Sequence, residues 1–294
     1  MIKMQEEKLY QKLIKRIGKT NSLLIKGFIS VFLPELFFNA FYSCAAGDKK
    51  FSNIATISFD CDHIADIEAL PILLEILNSY GVKASFACVG KLIEKYPREH
   101  RMIIEEGHEI INHTYTHPFN KELNSLKRFD KLTKDEQRDE IIQCHKVCKF
   151  FLNYKPIGFR IPHFGVQYTD TIYEILSELG YAYSSSILAI KTTTFGGPYL
   201  VGGILELPVI TCPKHPFQAF DTYHAFRSRI TSHDEKDFCN IFMQILDLIV
   251  KKSMYLNICF DPQDAIHLDY CFKEILRLLK NSKLVIKMYR DVIR

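Results

Sequence analysis

Short apolar, β-branched runs alternate along most of this chain with stripes of helical period, and chemistry-bearing residues collect where the runs end. The first run, Ile54-Ala55-Thr56-Ile57, predicts a buried strand over 53–60. Ile67, Leu70, Leu73, Leu74 and Leu77 then predict a helix over 66–80 that Gly81 stops. Further strands are expected over 82–89, 109–112, 156–160, 181–184, 205–210, 254–260 and 285–287. Between them lie helical stretches: one opened by Gly90 and interrupted by Pro97, then 98–106, 133–153, 169–179, 234–252 and 265–280. Thr133 and Glu136 form a capping-box pair at the start of one of these. Residues 118–131 read as a loop over the site, 190–203 as a loop or hairpin, and 214–233 shows no period. Such alternation implies parallel strands with crossover helices, closed as a barrel or open as a doubly wound sheet. In both architectures, sites are built at the C-terminal ends of the strands.

The strand ends carry the chemistry. Asp60 and Asp62 close the first strand, and residues two apart on a strand point the same way. Carboxylates there are expensive unless they are paired or meet a cation. His113 and His117 follow the strand 109–112. One carboxylate with two imidazoles is a ligand set for a divalent transition metal with open positions, which leaves the other carboxylate to act as a base. Arg160-Ile161-Pro162-His163 ends another strand, with an arginine able to orient a carboxylate through paired hydrogen bonds. Asp261 stands after the strand 254–260 and can reach the same rim, while Asp264 suits the cap of the following helix.

In this order, from about Asn53 to Lys287, the motifs resemble the polysaccharide deacetylase (NodB homology) family. Thr56-Ile57-Ser58-Phe59-Asp60-Cys61-Asp62 is similar to the family's first motif, and Gly107-His108-Glu109-Ile110-Ile111-Asn112-His113-Thr114-Tyr115-Thr116-His117-Pro118 to its second. Gly158-Phe159-Arg160-Ile161-Pro162-His163 is similar to the third. The resemblance implies an α/β fold, a distorted (β/α) barrel of the NodB type. It also implies metal-dependent hydrolysis of an amide bond in an acylated amino sugar or glycan precursor, most often N-deacetylation. Asp60 is then the catalytic base, Arg160 its positioning partner, and Asp62, His113 and His117 the ligands of a divalent metal, zinc first, with iron, cobalt or nickel as alternatives. His163 lends its backbone N–H to the oxyanion. Two departures stand out. Ser184 in Tyr183-Ser184-Ser185-Ser186 replaces an acid, and Asp261-Pro262 stands where the family has His-Pro, so Asp261, His163 or His267 must supply the proton for the leaving nitrogen. Rival readings are allantoinase-like ring opening, deformylation of a lipid-linked amino sugar, and a catalytically silent glycan-binding relative.

Composition narrows the remaining classes. A net charge of +4 without a dense basic stripe beyond the N-terminus argues against a nucleic-acid partner. Nine cysteines with no CxxC pair, scattered through apolar segments, predict reduced core thiols and a cytoplasmic compartment. Residues 1–50 read as a basic, then apolar appendage to a catalytic domain over 51–294. Lys26, Pro34 and Glu35 interrupt the apolar run, which predicts peripheral membrane contact through residues 1–46 or packing on the domain rather than a span.

Overall fold

The computed structural model describes residues 12–13, 23–43, 45 and 50–293. Most of the basic stretch 1–20, and Cys44, lie outside the described residues. Nine strands form one sheet: β1 (Ile54–Cys61), β2 (Ser85–Cys88), β3 (Glu109–Asn112), β4 (Gly158–Phe159), β5 (Tyr183–Ser184), β6 (Tyr199–Val201), β7 (Ile204–Glu206), β8 (Leu256–Phe260) and β9 (Val285–Lys287). The order is β6-β7-β5-β4-β3-β2-β1-β8, with β9 paired to the start of β1. Every pairing is parallel except the β6–β7 hairpin. The sheet curls into a half barrel, so the barrel-like alternative is the one adopted.

β1 is the axis of the sheet. All eight of its residues are buried, because it is covered on both faces and paired along both edges. Ser58 sits level with Ser85 of β2 and Cys259 of β8, which fixes the height at which Asp60 leaves the sheet. Phe59 stacks on Phe86 at 5.0 Å and meets Phe272 edge-on at 6.0 Å. The helices Ile64–Ser79, Glu235–Lys252 and Asp269–Asn281 bury Leu70, Leu73, Ile245, Ile249, Leu276 and Leu279 against the same core. Each such side chain contributes about 1.5–3 kcal/mol relative to exposure.

Three stretches differ from the sequence pattern. β4 and β5 are shorter than the runs 156–160 and 181–184, and where they pair the Tyr183 ring packs directly over Gly158. The segment expected as one helix over 265–280 is two, Pro262–His267 and Asp269–Asn281, broken at Leu268 (φ −90°, ψ 36°). The first of them packs along Ile64–Ser79 and the second along Glu235–Lys252, two directions that one straight rod cannot follow. The N-cap of the first is Asp261 rather than Asp264, since Pro262 occupies the first helical position, where its missing N–H does no harm.

Ahead of the barrel, the helix Pro34–Ser43 packs on the body. Phe38 and Tyr42 join the main core, Phe41 lies 5.0 Å from Phe195, and Lys252 Nζ donates to the Ser43 carbonyl at 3.2 Å. The helix Leu23–Phe32 leaves Phe28, Val31 and Phe32 exposed. Among the described residues no helix is long and apolar enough to cross a membrane.

The Tyr183 ring over Gly158 gives a direct test. A Cβ at Gly158 would stand 2.1 Å from the Tyr183 ring. Gly158→Ala is expected to destabilise the fold by about 1–3 kcal/mol or more, measured by urea unfolding at constant slope.

Candidate metal centre and catalytic site

The strand ends converge on one rim. β1 delivers Asp60 and, one residue past its end, Asp62. β4 delivers Arg160, whose backbone N–H donates to the Asn112 carbonyl at 2.9 Å and so joins the ends of β3 and β4. The Arg160 guanidinium is completely buried. Its Nη1 donates to Asp60 Oδ1 at 2.6 Å and to Cys259 Sγ at 3.1 Å. Nη2 donates to Ser58 Oγ at 2.9 Å, Ser185 Oγ at 3.1 Å and Tyr289 Oη at 2.6 Å, and Nε to the Ser185 carbonyl at 3.1 Å. A buried guanidinium is tolerable only with its donors engaged in this way. The Asp60 carboxylate is thereby fixed in direction.

The turn after β3 is moulded from outside. Thr114 and His117 adopt left-handed backbone (φ 66° and 49°), a strained state for such residues. Thr114 Oγ1 accepts the His117 N–H at 3.1 Å. Glu140, from the helix Lys134–Leu152, accepts the N–H groups of Tyr115 and Thr116 at 3.0 and 2.8 Å and the Thr116 hydroxyl at 2.7 Å. His113 Nδ1 lies 2.9 Å from the Arg160 carbonyl and donates to it, which leaves Nε2 as the free ring atom.

The turn brings His113 and His117 to within 4.7 Å, centroid to centroid, and His117 Nε2 to 3.2 Å from Asp62 Oδ2. Ligand atoms of Asp62, His113 and His117 lie within 4.8 Å of one another. Asp62 Oδ1, His113 Nε2 and His117 Nδ1 are all buried without a hydrogen-bond partner. Burial, and then the nearby Asp60, push the Asp62 carboxyl up to about 7. Burial holds both histidines below the ordinary imidazole value. Neutral imidazoles beside a carboxylate short of positive charge are the donor set that a divalent cation completes.

The residues around this centre were only partly visible in the sequence. Asp66 reads there as a helix-start residue. In the structure its buried carboxylate accepts the His63 N–H at 3.0 Å and Gln263 Nε2 at 3.1 Å, and burial with the neighbouring Asp62 charge pushes it up to about 8. His63 lies between Asp62 (3.5 Å) and Glu122 (3.3 Å). The 118–131 segment does border the site, because Asn120 Nδ2 donates to the Asp62 carbonyl at 2.9 Å. Asp66 and His63 have the spacing of a capping box, but Gln263, Glu122 and Asn120 lie far away in sequence from the residues they meet, where no spacing rule reaches.

His163 occupies a left-handed position (φ 57°) and presents its ring to His117 at 4.9 Å. Partial desolvation and the neighbouring His113 lower its pKa, so the ring is neutral near pH 7. Asp261 is differently placed from a free acid. Its carboxylate is ion-paired with Arg227, which also lies 3.1 Å from Asp264 Oδ2, and its backbone N–H donates to Thr222 Oγ1 at 2.8 Å. Arg227 belongs to the aperiodic 214–233 segment, where no spacing marks it. His267 is exposed, with Nδ1 donating to the Gln263 carbonyl at 2.5 Å.

Fold and site together define a (β/α)-barrel protein whose rim combines a candidate divalent-metal triad with a carboxylate held by a buried arginine. The family model of the polysaccharide deacetylases matches residues 49–184 of this chain. It is 33% identical over 111 residues to a peptidoglycan-N-acetylglucosamine deacetylase of Bacillus cereus, a stretch covering 38% of this chain and 37% of that protein. The chain therefore spans well under two thirds of this curated relative. A crystal structure from Mycobacterium smegmatis assigned to the polysaccharide deacetylases superposes with a TM-score of 0.70 at 17% identity, covering 85% of this chain and 92% of that one. A CE4 family pseudoenzyme from Bacillus anthracis superposes at 0.55 with 16% identity, over 83% and 66% of the two chains. At such identities the likeness establishes the fold alone.

Two outcomes follow from the geometry. Arg160→Met leaves Asp60 without its cation and should lower stability by about 3–5 kcal/mol, with Asp60→Asn in the same chain recovering part of it in urea unfolding. His113→Ala should lose on dialysis one equivalent of divalent ion that wild-type protein keeps, as counted by inductively coupled plasma mass spectrometry.

Proposed function

We propose that this protein hydrolyses the amide bond of an N-acetylated amino sugar within a glycan or glycan precursor, with a divalent ion held by Asp62, His113 and His117. The observation that carries the reading is the convergence of Asp62, His113 and His117, with ligand atoms within 4.8 Å of one another, beside a carboxylate that Arg160 holds in place. The names of the relatives support the substrate class: peptidoglycan-N-acetylglucosamine deacetylase and chitooligosaccharide deacetylase. Zinc is the metal we favour, because two imidazoles and one carboxylate with an open position suit it.

When bound, the ion supplies Lewis acidity to the acyl oxygen and lowers the pKa of water in its shell. The protein's own groups do the rest. Asp60 takes the proton of the attacking water, its oxygens held in position by Arg160. The backbone N–H of His163, at the strained turn after Pro162, stabilises negative charge on the acyl oxygen. Asp261 is engaged by Arg227 and the His163 ring is neutral near pH 7, so the leaving nitrogen receives the proton that Asp60 has taken from the water.

N-acetylglucosamine oligomers are the substrates to try first. Wild-type protein should release acetate from them. Asp60→Asn should lower kcat at least about 100-fold, the scale of removing a general base, while its metal content stays unchanged. No release from any acylated amine at full metal occupancy would place the chain with the silent relatives of its fold instead.

We also propose a peripheral membrane contact through the exposed face Phe28, Val31 and Phe32, which follows a basic stretch, and a cytoplasmic location. The eight described cysteines are free thiols, all buried except Cys239, in keeping with a reducing compartment. Binding of the protein to anionic vesicles, lost in Phe28→Ser/Phe32→Ser, tests the membrane contact.

A further inference from the structure

A second group of soft donors lies in the segment that showed no period in the sequence. Thr211 and Ala219 form an antiparallel bridge, and the Cys212 N–H donates to the Gln218 carbonyl at 3.0 Å. Inside this small hairpin the His215 N–H donates to the Cys212 carbonyl at 3.1 Å, which turns both side chains to one side. The chain returns at His233, whose N–H donates to the Ala225 carbonyl at 2.7 Å, one residue before the cap of the helix Glu235–Lys252. Cys212 Sγ then lies 3.9 Å from His215 Nδ1 and 3.6 Å from His233 Nε2. All three ligand atoms are within 4.8 Å of one another.

The surroundings are those of a ligand rather than of a core thiol. His233 Nδ1 donates to Asp237 Oδ2 at 3.0 Å, so its Nε2 is the basic atom facing the sulfur. Asp237 is in turn held by Lys214 Nζ at 2.6 Å. A carboxylate behind the far nitrogen is what orients a metal-binding histidine and raises its basicity. The three residues border a cavity of about 10 Å³, also lined by Asp221 and His224, enough for one water-sized body. Phe220 stacked on Phe238 at 4.4 Å supports the floor.

We propose that Cys212, His215 and His233 bind a second transition-metal ion of the zinc type, separate from the Asp62 centre, with water as the fourth ligand. A thiolate with two imidazoles selects zinc or cobalt over magnesium or calcium. On binding, Cys212 forms its bond to the metal through sulfur and its thiol proton goes to solvent. The ion clips the segment 212–233 into a closed loop, which restrains it as a cross-link does. That loop holds Thr222 and Arg227, the two residues that engage Asp261. The second ion thus fixes one wall of the rim.

Cobalt provides the test, because only this site contains a thiolate. Full-length protein stripped with a chelator and titrated with cobalt should bind two equivalents and develop a near-ultraviolet thiolate-to-cobalt charge-transfer band. Asp62→Asn should lose one equivalent and keep the band. Cys212→Ser should lose the other equivalent and the band, and His215→Ala, at a half-buried position in the hairpin turn, should lose the band without disturbing the core. Asp237→Asn should weaken the cobalt that gives the band about 10–100-fold. A wild-type protein that never shows the band, or a band that survives in Cys212→Ser, overturns the proposal.

Discussion

The buried Arg160 guanidinium is the constraint on which the rest of the site depends. Moving a guanidinium out of water is costly, and the cost is offset only if its donors find acceptors in good geometry. Those acceptors come from β1, from the segment after β5, from β8 and from Tyr289 near the end of the described chain. The half barrel must therefore be fully assembled before the charge is satisfied. Tyr289 is itself anchored by donating to Asn257 Oδ1 at 2.6 Å, and Ser185 Oγ by donating to the Leu207 carbonyl at 2.9 Å. Asp60 inherits its precision from this network.

The same residue ties the carboxylate to the metal triad. The Arg160 side chain fixes Asp60 and its carbonyl fixes the His113 ring, so the proposed base and one proposed ligand are set by one backbone position. The second histidine is placed by different means. His117 depends on a left-handed turn that is unfavourable by itself and persists because Thr114 and Glu140 satisfy its amides. Strain at the ligand turn is balanced by hydrogen bonds from a helix outside the motif.

The other wall of the rim is built on less regular ground. Arg227 lies in a short π-helical turn, with its guanidinium 4.8 Å from the Tyr223 ring, and pairs with Asp261 and Asp264. Here the family resemblance leads one to expect a histidine, and the chain has an aspartate with an arginine to meet it. The fold does not decide what such a wall does, since it is shared with a protein described as a pseudoenzyme. The side chains decide it.

Local periodicity was enough to determine the alternation of strands and helices, the strand ends as the place of the site, and the residues Asp60, Asp62, His113, His117, Arg160 and His163 that gather there. These were legible because period and position are properties of neighbouring residues. Tertiary structure alone decided the curl of the sheet, the break at Leu268, the two-residue strands beside Gly158, and the partners Asp66, Glu140 and Arg227. Each of those depends on contact between residues far apart in the chain, where no spacing rule reaches. Asp261 shows the difference most plainly: the sequence placed it at the rim, and only the folded chain brought Arg227 to its carboxylate.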